Sequence, residues 1–225
     1  MLALAGTGCL AAVAIVLSVV LGGGGKKAAP PPATIDADVA AVVGIPQHGL
    51  VLGNPLARVT LTEYIDSSCP ICKDYVLTTF PGISQNYVRT GKVKVEARVL
   101  AFVGPSSKRG RQLLLAAAKQ NKAFQFAELV YHNQGDETTD WLTDAVARSF
   151  ASRISGLDIR QLFTDADSAS VQAEAAQMDA EAQSDRVGGT PTFVLTTPDG
   201  TRHLLGSGSP GIEPFRQAFA KALAG

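Results

Sequence analysis

Cys69 and Cys72 are the two residues of this sequence whose type and spacing best suit covalent chemistry. The stretch Ser68-Cys69-Pro70 predicts a helix start, because a small polar residue followed by Pro in the first turn is typical there. Two cysteines three positions apart then share one helical turn, so their sulfurs can form a disulfide. Free N–H groups and the helix dipole at the amino end favour a thiolate. The pattern therefore predicts Cys69 as the nucleophile and Cys72 as the shielded, resolving thiol.

Zinc binding and a purely structural disulfide are the two alternatives for this pair. A structural zinc site needs four ligands, whereas the sequence has no second C-x-x-C motif and only three scattered histidines, His48, His132 and His203. A C-x-x-C disulfide closes a very short loop and would stabilise the fold little. We therefore predict redox chemistry at Cys69 and Cys72, with no bound metal.

The segments around the cysteines predict alternating strands and helices. Alternating apolar and β-branched residues predict strands at 48–52, 59–65, 92–101, 191–197 and 201–205. A helix is predicted from Ser68, with a break at Pro81, and a block of helices follows at about 107–184. The closing helix has apolar residues at helical spacing, namely Ile212, Phe215, Phe219 and Leu223. A βαβ unit and a ββα unit separated by helices predict an α/β fold whose mixed sheet is covered on both faces.

Composition excludes several other functions. With 20 Lys and Arg against 20 Asp and Glu, the chain of 225 residues has no net charge and lacks the basic footprint of a nucleic-acid binder. Its three cysteines are too few for a disulfide scaffold. A G-x-G-x-x-G pattern at 206–211 is followed by only fourteen residues, too few for the second strand and acidic residue of a dinucleotide site. No organic cofactor is therefore predicted.

An uncharged, apolar run covers residues 2–21. A helix of this length spans the hydrocarbon core of a bilayer, so the run predicts a transmembrane anchor or signal-anchor. A cleaved signal peptide is the alternative, for which residues 28–29 offer a poor cleavage site. Glycines and prolines at 22–34 predict a flexible linker to a working domain at 35–225.

The charges beside this run leave its orientation open. Lys26 and Lys27 follow the run and no basic residue precedes it, which by the positive-inside rule would place the domain in the cytoplasm. A domain on the outer side requires further basic residues upstream of Met1, and we expect them there. Cys9 lies in the middle of the run and is predicted to be a passive thiol.

Two separated stretches resemble one known family. They are VTLTEYID at 59–66, followed by CPIC at 69–72, and VGGTPTFV at 187–194. In this order they resemble the membrane-anchored, DsbA-like thiol–disulfide oxidoreductases of the thioredoxin superfamily, over about residues 40–225. The resemblance implies a thioredoxin-like fold with an inserted helical domain at about 107–184, preceded by a transmembrane helix.

The resemblance also implies roles for residues near the cysteine pair. It implies a cis peptide bond before Pro191, facing the disulfide, and a Thr190 backbone able to pair with an extended client peptide. The alternative is an ordinary Pro at the start of an edge strand. It places Glu63 beneath the cysteines, where burial would raise the pKa of the carboxyl and let it exchange a proton with Cys72. The alternative is a Glu63 that faces water.

The two residues between the cysteines, Pro70 and Ile71, depart from the Pro-His dipeptide best known in this family. Ile71 has no hydrogen-bond donor, so we expect a less depressed Cys69 pKa and a weaker oxidant. The resemblance implies an extracytoplasmic enzyme that oxidises cysteine-containing client proteins through the Cys69–Cys72 disulfide and is recycled by a membrane redox partner. The alternatives are a reductase or isomerase with the same site, and a non-catalytic, tethered peptide-binding module.

Overall fold

A mixed β-sheet carries the cysteine pair at the end of one of its central strands. The computed structural model describes residues 36–224, and six strands of that range form one sheet. They are β1 (Gln47–His48), β2 (Val51–Leu52), β3 (Val59–Ile65), β4 (Val93–Val99), β5 (Thr192–Thr196) and β6 (Arg202–Ser207). Their order is β1-β2-β4-β3-β5-β6; β3 and β4 are parallel and the other neighbours are antiparallel.

Eight α-helices cover this sheet within the described range. They are α1 (Pro70–Thr78), α2 (Phe80–Ile83), α3 (Ser107–Lys119), α4 (Ala123–His132), α5 (Asp144–Ser152), α6 (Ile159–Ala166), α7 (Ala169–Ser184) and α8 (Ile212–Ala224). A 3₁₀ turn covers Ala37–Val39, and a π-helical turn at Ser84–Val88 continues α2. The helices α3 to α7 are inserted between β4 and β5, which confirms the predicted α/β fold with a helical insertion.

Local sequence explains where the helices of the insertion begin. Thr143, Asp158 and Ser168 precede α5, α6 and α7, and each side chain accepts a hydrogen bond from the N–H group three residues later. Such caps satisfy donors that the first helical turn leaves free. The break predicted at Pro81 is confirmed, because α1 ends at Thr78 and Pro81 lies in the first turn of α2.

Strand β3 lies near the centre of the sheet and is buried on both faces. Leu61 and Ile65 point into the main apolar core with Glu63, on the side of the sheet covered by α1. Tyr64 points to the other face, where it packs with Ala182 of α7. Since alternate residues of a strand point to opposite faces, both sides of β3 need a covering layer, and helices supply both.

Two predictions about local structure are wrong. Residues 48–52 form not one strand but the two short strands β1 and β2 of a hairpin. Gly49 turns the chain between them with a φ of 60°, a conformation that glycine adopts without a steric cost. On α8, Leu223 is 42% exposed and Ala222 is buried in its place, because the core contacts the helix along Phe215, Phe219 and Ala222.

The predicted anchor and linker lie outside the described residues. Within residues 36–224, no helix combines the length and the apolar character needed to cross a bilayer.

Candidate active site

Cys69 is the N-cap residue of α1. Its backbone is extended, and its Sγ accepts a hydrogen bond from the Cys72 N–H at 3.3 Å. Pro70 occupies the first turn, where its missing N–H leaves no hydrogen bond unmade. Both cysteines are free thiols. The Cys69 sulfur therefore caps the helix, because a backbone N–H group of the first turn points toward it.

The two thiols have opposite shifts in pKa. A hydrogen bond from the Cys72 thiol, followed by the Thr190 side chain and the backbone N–H groups of Cys72 and Ile71, lowers the pKa of Cys69 to about 6 against the opposing effect of burial. Burial raises the pKa of Cys72 well above its usual range, and the neighbouring Cys69 raises it further. At neutral pH the first sulfur is a thiolate and the second a thiol.

Thr190 and Pro191 lie directly against Cys69. The peptide bond between them is cis, as the resemblance implied. The Thr190 carbonyl oxygen lies 3.2 Å from Cys69 Sγ and accepts a hydrogen bond from this sulfur when it is protonated. Pairing of β5 with β3 begins only at Thr192, so the Thr190 backbone precedes the ladder. The structure thus brings together two stretches that are 121 positions apart in the chain. We call Cys69, Thr190 and Pro191 the mouth of the site.

Glu63 of β3 is buried against α1, with 3% of its surface exposed. The Tyr75 hydroxyl donates a hydrogen bond to its Oε1. Burial raises the pKa of Glu63 to about 8, although the Tyr75 hydrogen bond acts in the opposite direction. Because Cys72 and Tyr75 are three residues apart on α1, their side chains share a helix face. We call Cys72, Tyr75 and Glu63 the floor of the site.

Asp66, which the sequence reading did not single out, organises the loop that precedes Cys69. Its Oδ1 accepts hydrogen bonds from the Ser68 N–H at 2.9 Å and the Ser107 hydroxyl at 2.7 Å. Its Oδ2 accepts from the N–H groups of Phe102 at 2.9 Å and Val103 at 3.1 Å. One carboxylate therefore joins the site loop to the segment after β4. Its position directly after a strand, with a donor two residues on, is the Asx-turn pattern that identifies it.

The helical insertion also holds this loop. Gln134, just after α4, donates hydrogen bonds from Nε2 to the carbonyl oxygens of Ser67 at 2.8 Å and Cys69 at 3.2 Å. On α3, a Cβ at Gly110 would lie 1.9 Å from Ser67 Oγ, so only glycine allows this close approach. No local sequence signal marks Gln134 or Gly110, because both act on a loop more than 40 positions away.

Two large apolar side chains on the segments that form the site are exposed. Ile71 lies two residues after Cys69 on α1 and is 48% exposed, and Phe102, whose N–H is bound to Asp66, is 58% exposed. Exposed apolar side chains are available to contact other molecules. Within residues 36–224, no group of three or more His, Cys, Asp or Glu side chains is placed to hold a metal ion.

Comparison with known proteins agrees with this arrangement. The family model described as Thioredoxin matches residues 46–199. A Bacillus cereus protein named "Probable disulfide bond formation protein D" is 28% identical over 147 residues, which cover 64% of this chain and 68% of that protein. "Disulfide bond formation protein D" of Bacillus subtilis is 28% identical over 107 residues, covering 45% of this chain and 46% of that protein.

Solved structures share the fold. Oxidised BdbD from Bacillus subtilis superposes with a TM-score of 0.69 at 21% identity, covering 80% of this chain and 98% of that one. A thioredoxin-like oxidoreductase from Silicibacter pomeroyi superposes with a TM-score of 0.64 at 26% identity, covering 84% and 99%. A family match over more than half of the sequence, on a fold that turns a cysteine pair toward a cis-proline, shows that the chain belongs to the thioredoxin family, among its DsbA-like thiol–disulfide oxidoreductases.

Proposed function

We propose that the chain oxidises paired thiols of exported client proteins with a disulfide between Cys69 and Cys72. The observation that carries this proposal is the opposite shift of the two pKa values, to about 6 at Cys69 and well above the usual range at Cys72. A stabilised thiolate makes Cys69 a good leaving group and favours the reduced state of the enzyme, which is the property of an oxidant. The names of the Bacillus relatives support the oxidising direction.

The exchange proceeds in two displacements. A client thiolate attacks Cys69 Sγ, the Cys69–Cys72 bond breaks, and its electron pair passes to Cys72, which takes up a proton. A second client thiolate then attacks the client sulfur of the mixed disulfide, and Cys69 leaves as a thiolate. The client loses two electrons and two protons, and the enzyme gains the two electrons. One proton remains on Cys72, and the other passes to the solvent.

Glu63 supplies the proton that Cys72 takes up. Its raised pKa of about 8 keeps the carboxyl protonated at neutral pH, and Tyr75 bridges it to the helix face that carries Cys72. In the reducing direction the same carboxylate would take the proton from Cys72. Glu63 is therefore the proton donor of the proposed oxidase and the base of the reverse reaction.

The mouth of the site serves as the client-docking surface. The Thr190 backbone, which lies outside the sheet ladder, can hydrogen-bond to an extended peptide and hold a client cysteine against Cys69. Ile71 and Phe102 offer apolar contacts on either side. Main-chain hydrogen bonds with apolar contacts suit unfolded clients of varied sequence, because few client side chains need to be recognised.

The cellular location of the reaction is also part of the proposal, and it rests on the sequence. The apolar run at 2–21 anchors the domain on the outer side of a membrane, where the compartment permits disulfides. A membrane redox partner re-oxidises Cys69 and Cys72 after each turnover. The cysteine pair is the only redox group in the proposed reaction, without a metal or an organic cofactor.

Trapping of clients tests this function. In the full-length chain, the Cys69 thiolate of Cys72→Ser should attack a disulfide-bonded peptide and accumulate as a mixed disulfide, with the second peptide sulfur leaving as a thiolate, and Cys69→Ser should lose turnover. A peptide-binding module would keep its function in Cys69→Ser, and failure to trap any client would contradict both enzymatic directions. The reduction potential against glutathione separates those directions, because a value near −120 mV marks an oxidant and one near −270 mV a reductant, at roughly the levels known for such proteins.

A further inference from the structure

A second buried carboxyl belongs to Glu128 of α4. It is 3% exposed, and the mechanism above does not use it. Glu128 and Glu63 line one cavity of about 20 Å³, whose other lining residues are apolar except for Tyr131. That volume accommodates one water molecule, and a buried water needs at least two polar partners. The two carboxyls, contributed by the sheet and by the helical insertion, supply those partners.

No cation within the cavity neutralises this pair. Among the described residues that line it, none is Lys or Arg. Two carboxyls that share a mostly apolar space cannot both ionise without a large cost, so the pair retains at least one proton well above the usual carboxyl range. Burial, with smaller contributions from the charges of Glu63 and Asp38, raises the pKa of Glu128 to about 8.

Glu128 also connects the cavity with the surface. Its Oε2 lies 3.7 Å from Nε2 of His132, one helical turn later, and His132 Nδ1 lies 3.6 Å from Asp38 Oδ1. The side chain of His132 is 34% exposed. The groups that influence Glu128 come from each neighbouring element, namely Glu63 of β3, Tyr75 of α1, Tyr131 and His132 of α4, and Asp38 of the 3₁₀ turn.

We propose that Glu128 and Glu63 form a coupled carboxyl pair across this cavity, in which Glu128 keeps Glu63 protonated into mildly alkaline solution and links it through His132 to the solvent. The proposal rests on the function proposed above and extends it, since Glu128 acts on Cys72 only through Glu63. After Glu63 has given its proton to Cys72, a proton returns along His132, Glu128 and the cavity. Glu128 is thus a positioning residue for the proton, without contact with the reacting sulfurs.

The pH profile of disulfide exchange tests the pair. The rate at which a dithiol peptide reduces the oxidised, full-length chain should fall on the alkaline side, where Glu63 loses its proton. Glu128→Gln removes the neighbouring charge, so the pH of this fall should decrease by about one unit. At the pH between the two midpoints, the variant should be slower by up to about tenfold.

Two further variants separate a protonic role from a structural one. Gln matches the size of Glu, whereas Asp is shorter but titrates. If Glu128 has only a structural role, the pH profile of exchange should be unchanged in Glu128→Gln and altered in Glu128→Asp. If the two carboxyls are coupled, the profile should shift in Glu128→Gln and be retained in Glu128→Asp. Glu174→Gln is the matched control, because Glu174 of α7 is half-buried with a raised pKa but lines a different cavity, and its profile should superpose on that of the parent chain.

A profile for Glu128→Gln that superposes on that of the parent chain would overturn the proposal, as would equal shifts in Glu128→Gln and Glu128→Asp. If the variants do not fold, ¹³C NMR titration of the glutamate carboxyls in the parent chain decides. Two coupled steps, with the second well above the usual carboxyl range, support the pair, and two independent titrations refute it. A parent chain that cannot exchange disulfides at all would refute the proposed function, while the titration would still test the pair.

Discussion

Cys69 at the mouth of the site and Cys72 at its floor are one helical turn apart, yet their surroundings shift their pKa values in opposite directions. At the mouth, Cys69 caps α1 and receives N–H donors, and its pKa falls to about 6. At the floor, Cys72 lies inside the helix against buried, neutral groups, and its pKa rises well above its usual range. The same side chain therefore becomes a thiolate or a thiol according to its position along the first helical turn.

This difference gives each sulfur its own task. In the proposed exchange, the thiolate at the mouth, beside Thr190, is the sulfur that meets the client. The thiol at the floor accepts the electron pair, and we propose that the Glu63 proton, available at neutral pH, keeps this step from leaving a buried charge.

The largest expected difference between Cys69 and Cys72 is in their rates of alkylation. At neutral pH, iodoacetamide should modify Cys69 at least about 1,000-fold faster than Cys72, because ionisation contributes about two orders of magnitude and burial contributes more. The rate at Cys69 should rise with pH and level off above its pKa of about 6. Mass spectrometry of the two peptides measures both rates, and the controls are Cys72→Ser and Cys69→Ser, each of which retains one of the two thiols of the site. Equal, slow alkylation of both thiols would remove the basis of the proposed exchange.

Glu63→Gln tests the floor through stability. A carboxyl whose folded pKa is raised from 4.5 to about 8 contributes stability that is complete below pH 4.5 and is lost as the pH rises toward 8. The unfolding free energy of the parent chain should therefore fall across this window. Glu63→Gln should remove the part of that dependence that Glu63 contributes, leaving the part due to Glu128, and be more stable in alkaline solution, on the order of 3 kcal/mol. Urea denaturation of the reduced proteins at acidic and alkaline pH measures this, and Glu174→Gln is the control.

Asp66→Asn tests how far the loop at the mouth depends on one carboxylate. The amide can keep the two hydrogen bonds made by Oδ1, but its nitrogen would then face the N–H groups of Phe102 and Val103. The variant should lose about 2 kcal/mol of unfolding free energy. Asp179→Asn, which breaks an exposed pair with Arg111, should lose less than about 1 kcal/mol. Similar losses in the two variants would show that Asp66 has no special role.

Ile71→His should produce the smallest of these effects on the difference in pKa between the two thiols. A histidine beside Cys69 adds a donor that Ile71 lacks, so it should lower the Cys69 pKa further and leave that of Cys72 unchanged. Each unit of pKa shift corresponds to about 1.4 kcal/mol, or about 30 mV, and makes the disulfide more oxidising. Since residue 71 is half-exposed, solvent screening should limit the change to about one unit. Equilibration with glutathione measures the potential, and Ile71→Val is the control.

The elements that position the site could be predicted from local pattern. Strand β3 has the bounds expected from its alternation, and α1 begins at Cys69-Pro70 because the sequence supplies a cap and a proline in adjacent positions. The hairpin at Gly49 could not be predicted in this way, because a short apolar run does not reveal a turn within it. The burial of Glu63 was also open, since a strand pattern states which residues share a face but not which face is covered.

The sequence by itself determined the chemistry available to this protein: two thiols one helical turn apart, an N-terminal helix position for the first, and a proline stretch able to face them. Only the tertiary structure decided which groups surround the two thiols and therefore which of them is ionised. Asp66 and Gln134 hold the site through contacts between distant segments, and the coupling proposed for Glu128 also depends on which segments the fold brings together. A pKa is set by the dielectric surroundings and the neighbours of a group, and folding creates both.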